Sequence, residues 1–142
     1  MERHPRVLLF CIGAPARSVM AQAFLQATAG ERIICASAST ELAPVNPLAI
    51  EVMNEVGIDL SAVKPRSARQ VLRQSFTHVV SICDMSKERC PIYPFVRLSF
   101  KWDIENPARA STADKPECFR RVRDLLALKV HDFADTSFGI AA

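Results

Sequence analysis

The strongest constraint in this chain is one alternation near its start. An apolar run at Arg6–Phe10 leads into a loop over Cys11–Ser18, and a helical stripe continues to Ala29. A short continuous apolar run fits a central parallel strand covered on both faces. In Ser18–Ala29 the apolar residues Val19, Met20, Ala23, Phe24 and Ala27 recur at helical spacing, and Gly30 stops them. The pattern repeats. Arg32–Ala36 predicts a second strand, and Asn46-Pro47 is a helix cap followed by proline at the first helical position. Ile50, Met53 and Val56 predict that helix's inner face, with Gly57 as its stop. His78–Cys83 and Val96–Phe100 predict a third and a fourth strand.

Lys115-Pro116 opens a last helix whose apolar face is Phe119, Val122, Leu125, Leu126 and Val130. Its other face, with Arg120, Arg121, Arg123, Asp124 and Lys129, reads as solvated. The expected class is α/β: a four-stranded parallel sheet with helices on both faces and right-handed crossovers. With 142 residues and no repeat or linker, residues 1–142 read as a single domain.

Composition removes several function classes. Eighteen basic against fifteen acidic residues give a net charge of +3, which offers no basis for nucleic-acid binding but suits a small anionic substrate. The apolar segment Val7–Gly13 is too short to span a membrane, and no targeting segment stands out, so a cytoplasmic protein without a membrane partner is expected. In that compartment Cys11, Cys35, Cys83, Cys90 and Cys118 do not read as a structural disulfide framework. No C-x2-C pair exists and His4, His78 and His131 are scattered, so no metal site is expected.

Cys11 and Arg17 form a C-x5-R segment between strand and helix. A loop winding into a helix start aims backbone N–H groups at one point, where the helix dipole is positive. The amides of Ile12, Gly13, Ala14, Ala16 and Arg17 are the candidate oxyanion donors, and the Arg17 fork adds a bidentate grip. The same field favours the thiolate of Cys11 as nucleophile, and Ser18 is placed to donate to it. The plainer alternative is a buried core thiol beside a surface cation. Cys83, like Cys11, ends a predicted strand, which brings two thiols to the sheet edge where ligands of such folds bind.

Taken together, these segments resemble the low-molecular-weight protein tyrosine phosphatases and, more closely, the thioredoxin-coupled arsenate reductases related to them. Val7–Ala21 resembles their phosphate-binding loop. The likeness continues through Ser37-Ala38, Val45-Asn46-Pro47, Glu55–Asp59, Cys83-Asp84, Cys90-Pro91, Trp102-Asp103 and Phe119–Arg123. It implies that Cys11 attacks a bound oxyanion, arsenate or phosphate, that Cys83 then attacks Cys11, and that Cys90 resolves the disulfide. It also implies no bound cofactor, thioredoxin as external reductant, and a monomer. The Cys83–Cys90 bond is expected to need movement of Asp84–Arg89.

This chain departs from that family in four places. Ala14 stands where asparagine is usual, and Pro15 where serine is common, which removes one N–H. Asn106 stands at the general-acid aspartate, with Asp103 and Glu105 as nearby substitutes. At the potassium site of some related reductases, asparagine and glutamate fall at Ala14 and Gln22, with only Ser37 kept. Two alternatives therefore stand beside the reductase: a phosphatase using Cys11 and Arg17 alone, and a non-catalytic binding module. Cys35, Cys118, Trp102 and His78 read as packing residues, and Tyr93 as a loop residue near the site.

Overall fold

In a computed structural model of the chain, which describes residues 4–71, 73–90, 96 and 98–140, β1 (Arg6–Cys11) lies at the centre of the sheet. Its side chains alternate between two cores: Val7, Leu9 and Cys11 face one, Leu8 and Phe10 the other. That alternation is the pleat of a strand covered on both sides. β2 (Ile34–Ser39) and β4 (His78–Cys83) flank it in parallel, with Cys11 opposite Ser39 on one side and Ile82 on the other. β5 (Leu98–Asp103) closes one edge beside β4.

The other edge corrects the expected strand count. β3 (Arg66–Ser67) pairs with Ala38 and Ser39, so the parallel sheet has five strands in the order β3-β2-β1-β4-β5 rather than four. Two polar residues carry no hydrophobic run, and only the neighbouring strand reveals them. Two boundaries also move. Arg32 belongs to the 3-10 turn Gly30–Arg32, where its guanidinium caps the carbonyls of Ala29 (3.0 Å) and Thr28 (3.2 Å). β5 runs on to Asp103 because an edge strand needs only one buried side. Phe100 and Trp102 meet Phe133 at ring-centroid distances of 5.2 and 5.9 Å, while Lys101 and Asp103 face outward.

The long helices share one face of the sheet. α1 (Arg17–Ala29), α2 (Pro47–Asn54) and α4 (Lys115–Phe138) build the larger core. The smaller core, around Leu8, Phe10 and Val79, is covered by the short α3 (Ala68–Val71) with Phe76 and Val96. In α1 Leu25 is buried and Ala27 exposed. The buried face of α2 is Ala49, Val52 and Met53, leaving Ile50 and Val56 largely outside. Gly57, at φ +79°, carries the chain out of α2, and Ile58 N–H returns to Met53 O (3.0 Å).

Along α4, Phe119, Val122, Leu126 and Val130 are buried as predicted, but Leu125 is exposed and Arg123 is buried. Arg123 was expected in solvent. Its Nη1 instead donates to Val52 O at the end of α2 (3.0 Å) and to Glu55 (2.7 Å), which also pairs with Arg120. A guanidinium reaching open carbonyls at a helix end satisfies groups the helix cannot. His78, buried between Phe100 and Phe138, bonds Thr77 Oγ1 (2.7 Å), and burial holds its pKa below the usual value. Pro91 and Tyr93 lie outside the described residues.

At the start of α2, Asn46 Oδ1 accepts from Leu48 N–H (2.9 Å), and the Asn46 N–H reaches Pro15 O (3.5 Å). Asn46→Ala keeps the second bond and loses the first. Urea unfolding should show a loss of about 1 kcal/mol, the usual cost of removing a cap.

Candidate active site

Cys11 is the last residue of β1, and the chain must turn there to enter α1. Gly13 makes the turn at φ +81°, a left-handed conformation that side chains disfavour. The loop is braced from outside. Gly13 N–H donates to Thr40 Oγ1 (2.7 Å), Thr40 N–H to Cys11 O (3.2 Å), and Glu41 N–H to Gly13 O (3.0 Å). With the Asn46 contact to Pro15 O, the segment after β2 holds the loop from end to end. The Gly13 amide, a predicted oxyanion donor, is therefore taken. No side chain caps α1, whose N-cap residue is Ala16.

Cys11 is fully buried. Its thiol donates to Ser18 Oγ at 3.1 Å and lies 3.9 Å from Ala14 O. In the thiolate the direction reverses and the hydroxyl donates, so Ser18 serves either protonation state. Arg17, one residue before, is also buried, and both terminal nitrogens of its guanidinium are engaged. Nη1 donates to Ile104 O (3.0 Å) and Nη2 to Ile12 O (2.8 Å). The same two nitrogens grip Glu88 in a fork, at 2.8 and 3.1 Å.

Glu88 is the functional-site residue that sequence reasoning missed. Its carboxylate accepts from both Arg17 nitrogens, from Asp84 N–H (2.7 Å) and from Asn106 Nδ2 (3.2 Å). Burial pushes its pKa up, but the bonds from Arg17, Asp84 and Asn106 outweigh that and hold it below the usual value. Its position between two cysteines was the available signal. Asn106 sits beside the loop with its Nδ2 within reach of Gly13, while its Oδ1 caps the 3-10 turn Pro107–Arg109. The two suggested substitutes serve elsewhere: Asp103 accepts from Met85 N–H (2.9 Å), and Glu105 pairs with Arg121 (2.8 Å).

Cys83 ends β4, beside β1, and is joined to Cys90 by a disulfide with a Cα–Cα distance of 5.6 Å. Between them the chain turns tightly, with Lys87 and Glu88 N–H both donating to Asp84 O. A cleft of about 350 Å³ opens alongside, lined by Asp84, Lys87, Asn106, Arg109 and Arg121 among others. Cys118 borders it, 3.3 Å from Arg121 Nη2, its pKa raised by burial and by Glu105. Burial pushes the Cys35 thiol up to about 12. Neither thiol is poised as a nucleophile.

Gln22 Oε1 and Ser37 Oγ are buried without a partner among the described residues. Ala14 has no side-chain oxygen and Gln22 carries no charge, so two of the three groups of the potassium set are altered and the residues present do not fit it.

An α/β protein with a parallel sheet, whose Cys11 loop and Cys83–Cys90 disulfide gather at the carboxyl edge of adjacent strands, is the class this arrangement defines. The chain belongs to the low molecular weight phosphotyrosine protein phosphatase family, whose model it matches over residues 6–138. It is 33% identical over 132 residues to an arsenate reductase of Halalkalibacterium halodurans, covering 92% of this chain and 95% of that one. It is 35% identical over 130 residues to arsenate reductase 2 of Staphylococcus saprophyticus, covering 91% and 95%. The fold resembles the solved structure of an arsenate reductase in its oxidised state, with TM-score 0.79, 26% identity and coverage of 92% and 97%.

The lowered pKa of Glu88 fixes a pH dependence. Its pairing stabilises the fold fully above the carboxyl's unfolded value, about 4.3, and that contribution is lost as pH falls through the lower folded value. Urea titrations from about pH 7 to pH 3 should show stability declining below that point, and Glu88→Gln should flatten the decline.

Proposed function

We propose that this chain is an arsenate reductase that runs its chemistry on three thiols, Cys11, Cys83 and Cys90. The Cys83–Cys90 disulfide at the strand end beside Cys11 carries the reading. It is the state in which such a relay would come to rest.

In this mechanism arsenate binds against the loop amides and the Arg17 fork. The Cys11 thiolate attacks arsenic, and one oxygen leaves as water, giving a thiol ester of As(V). Ser18 steadies the thiolate before attack and after release. The Cys83 thiolate next attacks Cys11 sulfur, the S–As bond breaks toward arsenic, and arsenite departs with two electrons. Cys90 attacks Cys83 sulfur, frees Cys11 and leaves the Cys83–Cys90 disulfide. An external dithiol of the thioredoxin type returns two electrons and two protons. The protein works as a monomer with no bound cofactor.

A phosphatase needs an acid to protonate an aryl or alkyl leaving oxygen, and Asn106 cannot deliver a proton. The surviving groups therefore support redox chemistry over hydrolysis.

Arsenate-dependent NADPH oxidation with thioredoxin and its reductase tests the proposal. Wild type should turn over, and Cys11→Ser should abolish turnover. Cys90→Ser should release at most one arsenite per enzyme, since the Cys11–Cys83 bond then has no resolving thiol. Folded, fully reduced wild type that consumes no NADPH would refute the reading.

A further inference from the structure

The turn between Cys83 and Cys90 does more than close a disulfide. It carries a carboxylate into the corner of the site where Arg17 and Asn106 meet. The two oxygens of that carboxylate meet the arginine fork as two oxygens of a tetrahedral anion would. The side chains of Arg17 and Glu88 are each only 2% exposed, and Cys11 is not exposed at all. An oxyanion approaching Cys11 must therefore displace the carboxylate. The two cannot share the site, because a second anion beside Glu88 would be repelled and Arg17 has no further N–H pair to offer.

We propose that Glu88 is a tethered competitor of the substrate: while the Cys83–Cys90 disulfide holds the turn, its carboxylate occupies Arg17 and shuts the oxyanion site. The inference rests on the reading above that Arg17 grips the oxyanion. The tether makes the competition effective. Glu88 lies two residues before Cys90, and its N–H and carboxylate both bond Asp84, next to Cys83. A ring this short keeps the carboxylate at Arg17 at high effective concentration. Reduction, two electrons and two protons converting the disulfide to two thiols, opens the ring and dilutes the competitor. Oxidised protein, which has no nucleophilic pair to complete a turnover, then does not sequester anions it cannot process. Linkage makes the effect reciprocal: an anion bound at Arg17 should favour the dithiol over the disulfide by the same factor.

Calorimetric titration with inorganic phosphate tests this, using disulfide and reduced forms of wild type, Glu88→Gln and Glu88→Asp. The disulfide form of E88Q should bind phosphate about tenfold or more tightly than wild type, within the usual range of coupling between sites. Reduction should recover most of that gap in wild type and little in E88Q. Should E88Q not fold, E88D, one methylene too short to hold the fork, decides in the same way. Equal phosphate affinity of variant and wild type as disulfides, or no change in wild type on reduction, would overturn the inference. If this binding pattern holds while arsenate turnover is absent, the reductase reading fails and the competitor stands.

Discussion

A guanidinium buried at the edge of a sheet sets the terms for everything around it. Arg17 cannot lose its charge, and water does not reach it, so every one of its donors needs a protein acceptor. Ile12 O and Ile104 O fix its plane from two sides, one from the nucleophile's own loop and one from the segment after β5. What remains on its two terminal nitrogens is a bidentate face. In this state a carboxylate from the chain fills it. The arrangement around it follows from that pairing, in which Glu88 supplies the anion facing the fork.

The same demand accounts for Asn106. At a position where an ionisable acid is usual in the family it resembles, a carboxylate would lie against Glu88, and two like charges would contest one arginine. An amide donates to Glu88 and accepts from Ala108 N–H, so it satisfies both neighbours at no electrostatic cost.

How much of this could be read in advance depends on the range of the signal. His78–Cys83 was legible residue for residue, because a fully buried strand is rich in apolar and β-branched residues, here Val79, Val80 and Ile82. The cap at Asn46 was legible because its chemistry is local. β3 was not, since Arg66 and Ser67 become a strand only through Ala38 and Ser39. Arg123 misled for a related reason: the carbonyl that buries it, Val52 O, lies on another helix. The contact of Cys11 with Ser18 lies within one loop and is local, while the contacts of Arg17 with Glu88 and Ile104 span 71 and 87 positions.

One consequence of the bracing around the loop concerns where its shape is stored. Thr40, Glu41 and Asn46 hold Gly13 and Pro15 through main-chain atoms of the loop, with no loop side chain involved. A template of that kind is indifferent to what hangs from the backbone it grips. Alanine at position 14 and proline at 15 can thus sit in a loop whose usual internal support is missing. The outline is kept by the neighbouring segment, as a mould keeps the outline of a casting.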